Sequence, residues 1–183
     1  MEGLLLAAGA GRRMGIPKAL VTDDAGSWLL RGVATLRDGG CSRVTVVLGA
    51  EADRARPLVD GLDVALVVAD DWAEGMGASL RAGLRSLGGS TDDGVVVSLV
   101  DLPDLVPEVV ARVIDAADAG PAALARASYD GEVGHPVLLG RDHWAGVIES
   151  AVGDQGARAY LAPRDVTLVE CADLASGRDV DSR

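Results

Sequence analysis

Four short apolar runs divide the first hundred residues: Gly3 to Ala8, Arg43 to Leu48, Val64 to Val68 and Val95 to Val100. Runs this short, and mostly rich in valine, suit strands buried on both faces. Between them lie stretches whose apolar residues recur at helical spacing: Trp28 to Arg37, Ala52 to Val59, and Ala78 to Leu87, where Leu80, Leu84 and Leu87 share one face. Pro107 to Ala117 adds another helix, with proline at a first helical position. Repeated strand-then-helix units predict a three-layer α/β/α fold around a mostly parallel sheet. Such a sheet takes its ligands beyond the carboxyl ends of its strands. Past residue 120 the rhythm changes to expected strands at Ala122 to Ala127, Gly134 to Leu139 and Val166 to Val169, with helical stretches at 141–150 and 154–162. There is no internal repeat and no linker, so the 183 residues are expected to form one domain.

The formal charge of −11 opposes nucleic acid or anionic lipid as a partner. No apolar run approaches the roughly 18 residues of a membrane span. Met1-Glu2 is not the basic start of a secretory signal, so the expected location is the cytoplasm. Cys41 and Cys171 have neither the density of a disulfide scaffold nor zinc-site spacing, and read as packing residues.

Any phosphate bound by so acidic a chain needs a local cationic site. The opening stretch LLLAAGAGRRMGIPKAL carries Arg12, Arg13 and Lys18, and Lys18 is the one lysine beside sixteen arginines. A compact ammonium on a flexible stem does what arginine cannot, which makes its position informative. Gly9, Gly11 and Gly15 follow a strand and resemble a dinucleotide fingerprint, but Pro17 would sit inside the helix that such a motif opens. No acidic residue ends a second strand at the required distance either. The stretch therefore reads as an open phosphate cradle: backbone N–H groups from the glycines, a forked contact from Arg13 and a point charge from Lys18. Asp101, just past VVVSLV and stopped by Pro103, stands where a carboxylate would hold Mg²⁺ against those phosphates.

Several blocks carry a family resemblance. Leu6-Ala7-Ala8-Gly9 with Arg13-Met14-Gly15 and Pro17-Lys18 resembles the L-A-A-G-x-x-x-R-M-G-x-P-K signature of the molybdenum-cofactor cytidylyltransferase and guanylyltransferase family. Trp72 to Met76 with Ser79 to Leu84 is similar to W-x-x-G-M-x-x-S-L-x-x-G-L. Asp101-Leu102-Pro103, Gly134-His135-Pro136 and Gly153-Asp154-Gln155-Gly156-Ala157-Arg158 resemble D-x-P, G-H-P and G-D-x-G-A-R. The chain departs from the pattern at Asp70-Asp71, where asparagine is common, and at Ala78, where serine is usual. Cys171 to Arg183 is only loosely similar to a D-I-D-T-P-E-D ending.

The resemblance implies a Rossmann-like, GT-A-like nucleotidyltransferase, with a nucleotide-binding half at about 1–105 and an acceptor-binding half at about 106–183. It implies attack by an acceptor phosphate, in the family that of molybdopterin, on the α-phosphorus of a nucleoside triphosphate, with release of pyrophosphate. Arg13, Lys18 and Asp101 would be catalytic, with Asp101 on Mg²⁺. Leu6, Ala7, Ala8, Gly9, Gly11 and Arg12 would line the nucleotide with them, and Gly75, Met76 and Ser79 would edge the base and ribose. His135 and Arg158 would meet the acceptor, while Asp154 would cap a helix. His143 and Trp144 are expected to pack. Ala8 matches the cytidylyl branch, L-A-A-G, rather than the guanylyl L-A-G-G, which favours CTP. GTP, a sugar-phosphate acceptor, or a silent cofactor-binding accessory protein are the alternatives. A transient contact with a molybdoenzyme or its chaperone is a further expected partnership.

Overall fold

The structure is a computed structural model and describes residues 1–117 and 120–180. The chain begins with β1 (Glu2–Ala7), passes through a long loop and a small hairpin, β2 (Thr22–Asp23) and β3 (Gly26–Ser27), and enters α1 (Trp28–Asp38). Then come β4 (Arg43–Leu48), α2 (Ala52–Ala55), β5 (Val64–Val68), α3 (Met76–Ser86), β6 (Gly94–Leu99) and α4 (Pro107–Ala116). The last part holds β7 (Leu124–Tyr129), β8 (Glu132–Gly140), α5 (Trp144–Ser150), α6 (Arg158–Leu161) and β9 (Thr167–Glu170).

Seven strands form one sheet in the order β5-β4-β1-β6-β8-β7-β9. The first four are mutually parallel, each joined to the next by a crossover that contains helix. Side chains alternate across this sheet, so each apolar run feeds two cores at once. Leu5, Val46 and Val96 pack under α1 and α4 with Leu29, Val33, Leu36 and Val110. Leu4, Leu6, Val47 and Val97 pack on the other face under α3 and α5, against Leu80, Leu84, Leu87, Trp144 and Val147. Ser27 caps α1, its Oγ accepting from the Leu30 N–H at 3.4 Å.

One expectation needs correction. The helix expected from Ala52 to Val59 is α-helical only to Ala55 and tightens into a 3₁₀ turn at Arg56–Val59, because Pro57 has no N–H for a helical bond. The sheet is mostly parallel, as expected: among the described strands of the sheet β8 alone runs against the rest, antiparallel to both β6 and β7, while β9 pairs parallel with β7. The cause is local. Asp130 and Gly131 adopt φ of 52° and 86°, the paired left-handed conformation of a two-residue hairpin turn, so β7 reverses directly into β8. That reversal brings the start of β8 to the carboxyl end of β6, beside the ligand edge of the sheet. The remaining strands and longer helices lie within two residues of their expected ends.

Candidate active site

The site is assembled where β1 and β6 stop. After β1, the Ala8 carbonyl accepts from the Ala50 N–H at 3.0 Å, and Gly9 opens a loop that returns to it, with the Lys18 N–H donating to the Gly9 carbonyl at 3.4 Å. Inside the loop, the Met14 and Gly15 N–H groups both donate to the Gly11 carbonyl at 2.9 Å. Gly11 has φ of +58°, and a Cβ there would stand 1.8 Å from the Ile16 carbonyl oxygen. Only glycine lets the loop close so tightly. No helix runs through residues 9–17, which matches the argument from Pro17 against a dinucleotide fingerprint. Fully buried Ala19, in the 3₁₀ turn Lys18–Leu20, anchors Lys18 from below.

β6 continues the ladder for one more bond, Val100 N–H to the Leu6 carbonyl at 3.1 Å, and delivers Asp101. Its carboxylate oxygen Oδ2 accepts from Lys18 Nζ in an ion pair in which both side chains are largely buried. The Asp101 carbonyl accepts from the Val180 N–H at 3.0 Å, and Asp104 Oδ2 accepts from both the N–H and the hydroxyl of Ser176, at 2.7 and 2.6 Å. The chain after β9 thus returns to brace the Asp101 loop. The family-like ending expected there reaches residues 181–183, which lie outside the described residues.

Above this floor opens a cleft of about 380 Å³. Leu6, Ala8, Gly9, Gly11, Arg12 and Lys18 line one side, Gly75, Met76 and Ser79 the other, and Asp101 the base. Ten of the expected site residues therefore meet in one cavity. Ala7 does not: it is buried beneath the opposite face of the sheet, because strand alternation turns it away from its neighbours. Arg13 borders an adjoining hollow with Gly11, Arg12 and Lys18. His135 and Arg158 lie outside the cleft lining.

The cleft also has walls that the motif reading left unassigned. Trp72 packs so closely on Gly49 that a Cβ there would sit 2.6 Å from the Trp72 Cβ and 2.8 Å from that of Ala8. Glu74 and Asp154 add carboxylates at the rim. Asp154 caps no helix: it sits in the 3₁₀ turn Gly153–Gln155, α6 has Ala157 at its N-cap, and the side chain borders the cleft instead. The signal for this was the glycine at 75. A Cβ on Gly75, whose φ is +128°, would lie 2.5 Å from Asp154 Oδ1, so the two motif blocks touch there. Arg81 locks the same corner, donating to Glu74 at 2.9 and 2.6 Å, to Asp71 at 2.8 Å and to the Ala151 carbonyl at 2.7 Å. These contacts hold the Glu74 carboxyl below the usual carboxylate range, Arg81 contributing most and the Gly153 N–H adding a bond.

His143 and Trp144 pack as expected, His143 against Tyr160 and the Ala122 carbonyl at 3.0 Å each, and Trp144 donating to the Leu139 carbonyl. Cys41 and Cys171 are buried thiols without a disulfide, and burial pushes Cys41 up to about 12. Among the described residues no helix is long and apolar enough to cross a membrane, and no three His, Cys, Asp or Glu side chains converge on a metal position. A divalent cation nonetheless fits the donors present, because magnesium and manganese bind through one or two carboxylates when phosphate oxygens and water complete the shell. Asp101, at the cleft base beside the glycine loop, is such a carboxylate.

Comparison with known proteins agrees with this fold. The profile of the MobA-like NTP transferase domain matches residues 3–169. A nicotine blue oxidoreductase of Paenarthrobacter nicotinovorans is 34% identical over 192 residues, covering 100% of this chain and 92% of the relative. The crystal structure of an Rv0371c homologue from Mycobacterium sp. strain JC1 superposes with a TM-score of 0.84 at 28% identity, covering 99% of this chain and 90% of that one. Rv0371c of Mycobacterium tuberculosis H37Rv in complex with manganese superposes at 0.75 with 24% identity, over 93% and 87% of the two chains.

Proposed function

Since the chain belongs to the family of MobA-like NTP transferase domains, we propose that it moves a nucleoside monophosphate, CMP by preference, from a nucleoside triphosphate to the phosphate of a molybdopterin-type acceptor. The observation that carries this reading is the Lys18–Asp101 pair at the base of a glycine-lined cleft. An acceptor phosphate oxygen forms the new bond to the α-phosphorus as the bond to the bridging oxygen of pyrophosphate breaks. The leaving group keeps that electron pair, and no covalent protein intermediate is needed. The work is positioning and charge neutralisation.

Lys18 supplies the mobile positive charge: it parts from Asp101 and meets the negative charge that builds on the α-phosphate. Arg12 and Arg13 flank the β- and γ-phosphates, and the glycine loop offers N–H groups. Asp101, released from Lys18, would hold a divalent cation, which would supply charge neutralisation to the phosphates. The manganese complex of the Rv0371c structure supports a divalent ion in this reading. Gly75, Met76 and Ser79 border the sugar and base, with Trp72 and Ala8 closing the space behind. The Ala8 methyl narrows that space and supports the smaller pyrimidine.

A second reading has its own support in the full-length relative named as an oxidoreductase. There the cleft would seat the nucleotide portion of a redox cofactor, and the chemistry would be electron transfer to an organic substrate. One experiment separates the two. The protein is incubated with CTP, GTP, ATP or UTP, Mg²⁺ or Mn²⁺ and molybdopterin while pyrophosphate is measured, and in parallel with reduced nicotinamide dinucleotide and a quinone-type acceptor while its absorbance is followed. Pyrophosphate released with CTP at the highest kcat/KM supports the transfer. Cofactor oxidation without pyrophosphate supports the redox reading, and molybdopterin binding with neither reaction supports a silent accessory protein.

A further inference from the structure

Residues 100–106, between β6 and α4, form neither helix nor strand, and Pro103 among them has no N–H to give. The body of the fold holds this loop by the Val100 N–H on the Leu6 carbonyl at 3.1 Å and by a long bond, 3.4 Å, from the Thr35 hydroxyl to the Leu105 carbonyl. Further support comes from the chain after β9. Val180 N–H donates to the Asp101 carbonyl, and the Asp104 carboxylate takes both the N–H and the hydroxyl of Ser176. The Ser176 oxygen in turn accepts from the Arg178 N–H at 3.3 Å, which leaves its proton for Asp104.

That chain is itself fixed on both sides of Ser176. On one side Arg112 of α4 forks onto Asp173 at 2.6 and 2.9 Å and reaches the Glu170 carbonyl at 2.9 Å. Leu174, Ala175 and Val180 pack against the core under α1 and α4. On the other side Gly177, with φ of +64°, lies on the ring of buried Tyr129, where a Cβ would stand 2.1 Å from it. Residues 171–180 therefore act as a stiff strap, and Ser176 is the point at which it grips the Asp101 loop.

In the transfer reading the Asp101 carboxylate gives up Lys18 and takes a cation. Its side chain then loses its protein partner, so its aim depends on the backbone that carries it. Magnesium tolerates little error in the distance or direction of its oxygen ligands, and a displaced carboxylate binds it poorly. We propose that Asp104 and Ser176 are positioning residues for Asp101: by fastening the strap to the loop they set the affinity of the cleft for its divalent cation, without touching cation or triphosphate. Both lie outside the cleft lining. The proposal rests on the transfer reading for the cation's place at Asp101, but it is read by binding and not by turnover.

The test measures the Kd of the full-length protein for CTP by calorimetry, once with EDTA and once with saturating Mn²⁺, so that the ratio isolates what the cation adds. The wild type is expected to bind CTP at least about thirtyfold tighter with Mn²⁺. D104A should cut that gain about tenfold, the scale on which groups that orient a metal ligand act, while the Kd in EDTA stays within about twofold. Its Tm should stay within about 3 °C, because the contact is exposed. S176A keeps the N–H and should cut the gain about threefold, which also provides the reading should D104A not fold. S176T keeps the hydroxyl and should hold the gain within about twofold of the wild type. A full gain in D104A and S176A overturns the proposal, as does a loss in EDTA equal to the loss in Mn²⁺, since the strap would then merely hold the fold. A wild type whose CTP affinity ignores Mn²⁺ discards it too. A gain that depends on Asp104 in a protein that never releases pyrophosphate keeps the positioning role and discards the transfer. Pyrophosphate release with an unaltered gain in D104A keeps the transfer and discards the positioning role.

Discussion

Lys18 and Asp101, 83 positions apart in sequence, meet as an ion pair at the base of the cleft. The pair joins the only lysine of the chain to a carboxylate of the cleft lining. The two charges offset each other, and in the proposed reaction binding a triphosphate with its metal requires them to separate. Removing one partner leaves the other with little access to water, whereas removing both does not. K18M and D101N are each expected to lower stability by about 1–3 kcal/mol, and the double variant to recover much of that loss, a coupling read from urea titrations. Activity should not recover. Each single variant and the double variant should lose pyrophosphate release by about a hundredfold or more. Additive stability losses would mean that the contact carries no energy.

The glycine loop makes a separate prediction. G11A puts a methyl group into the Ile16 carbonyl and asks alanine to hold a positive φ. The loop must open, and with it the Lys18 N–H bond to Gly9. Stability should fall by about 1–3 kcal/mol. The thermal shift on adding CTP and Mg²⁺, expected at about 5–10 °C for the wild type at a hundredfold excess over Kd, should disappear. G9A provides the contrast, because a Cβ there meets nothing within 4 Å.

How much of this could be read without coordinates follows from what kind of force sets each feature. The parallel strands and α1, α3 and α4 were legible because burial on both faces or on one stripe writes a period into the sequence. Lys18 and Asp101 were legible as a pair because both follow strands that end at the same edge of the sheet, so topology brings together what sequence separates. The antiparallel return of β8 was not, since it hangs on two dihedral angles at Asp130 and Gly131. Asp154 was misread as a cap because a carboxylate before a helical stretch has two uses, and only the contact with Gly75 selects one.

His135 predicts a pH dependence. Burial, and then the charge of Arg126, push its pKa down to about 4 from an ordinary 6.5. The folded protein therefore keeps the imidazole neutral where the unfolded chain protonates it. Between pH 6.5 and 4 the unfolded state binds more protons, so this group's contribution to stability is full above pH 6.5 and falls as pH drops through that window. The slope approaches 1.4 kcal/mol per pH unit at most. H135N should flatten the urea-derived stability profile between pH 4 and 6.5 and leave it unchanged above pH 7. The shift comes from burial and then the Arg126 charge, with no carboxylate among its causes, so the change belongs to the imidazole. An unchanged slope in H135N would place the titration elsewhere.

The last prediction concerns a residue that touches no substrate. Arg81 projects from the middle of α3 and gathers Asp71, Glu74 and the Ala151 carbonyl, so one guanidinium ties the turn at Trp72–Glu74 to the segment leading into Gly153. Those two segments form the cleft wall that carries Trp72, Gly75 and Asp154. The side chain is itself 12% exposed, while Asp71 and Glu74 are about half exposed, so the pairs contribute little to global stability and much to the placement of the wall. R81K retains the charge but cannot fork to two carboxylates and a carbonyl at once. Its expected signature is a KM for the triphosphate raised about three- to tenfold, with kcat within twofold and a Tm within about 2 °C of the wild type. R81Q, which also loses the charge, should raise KM further. Steady-state kinetics at saturating acceptor read the split. A fall in kcat with KM unchanged would instead show that the wall acts in the chemical step, because a merely misplaced binding surface weakens ground state and transition state alike.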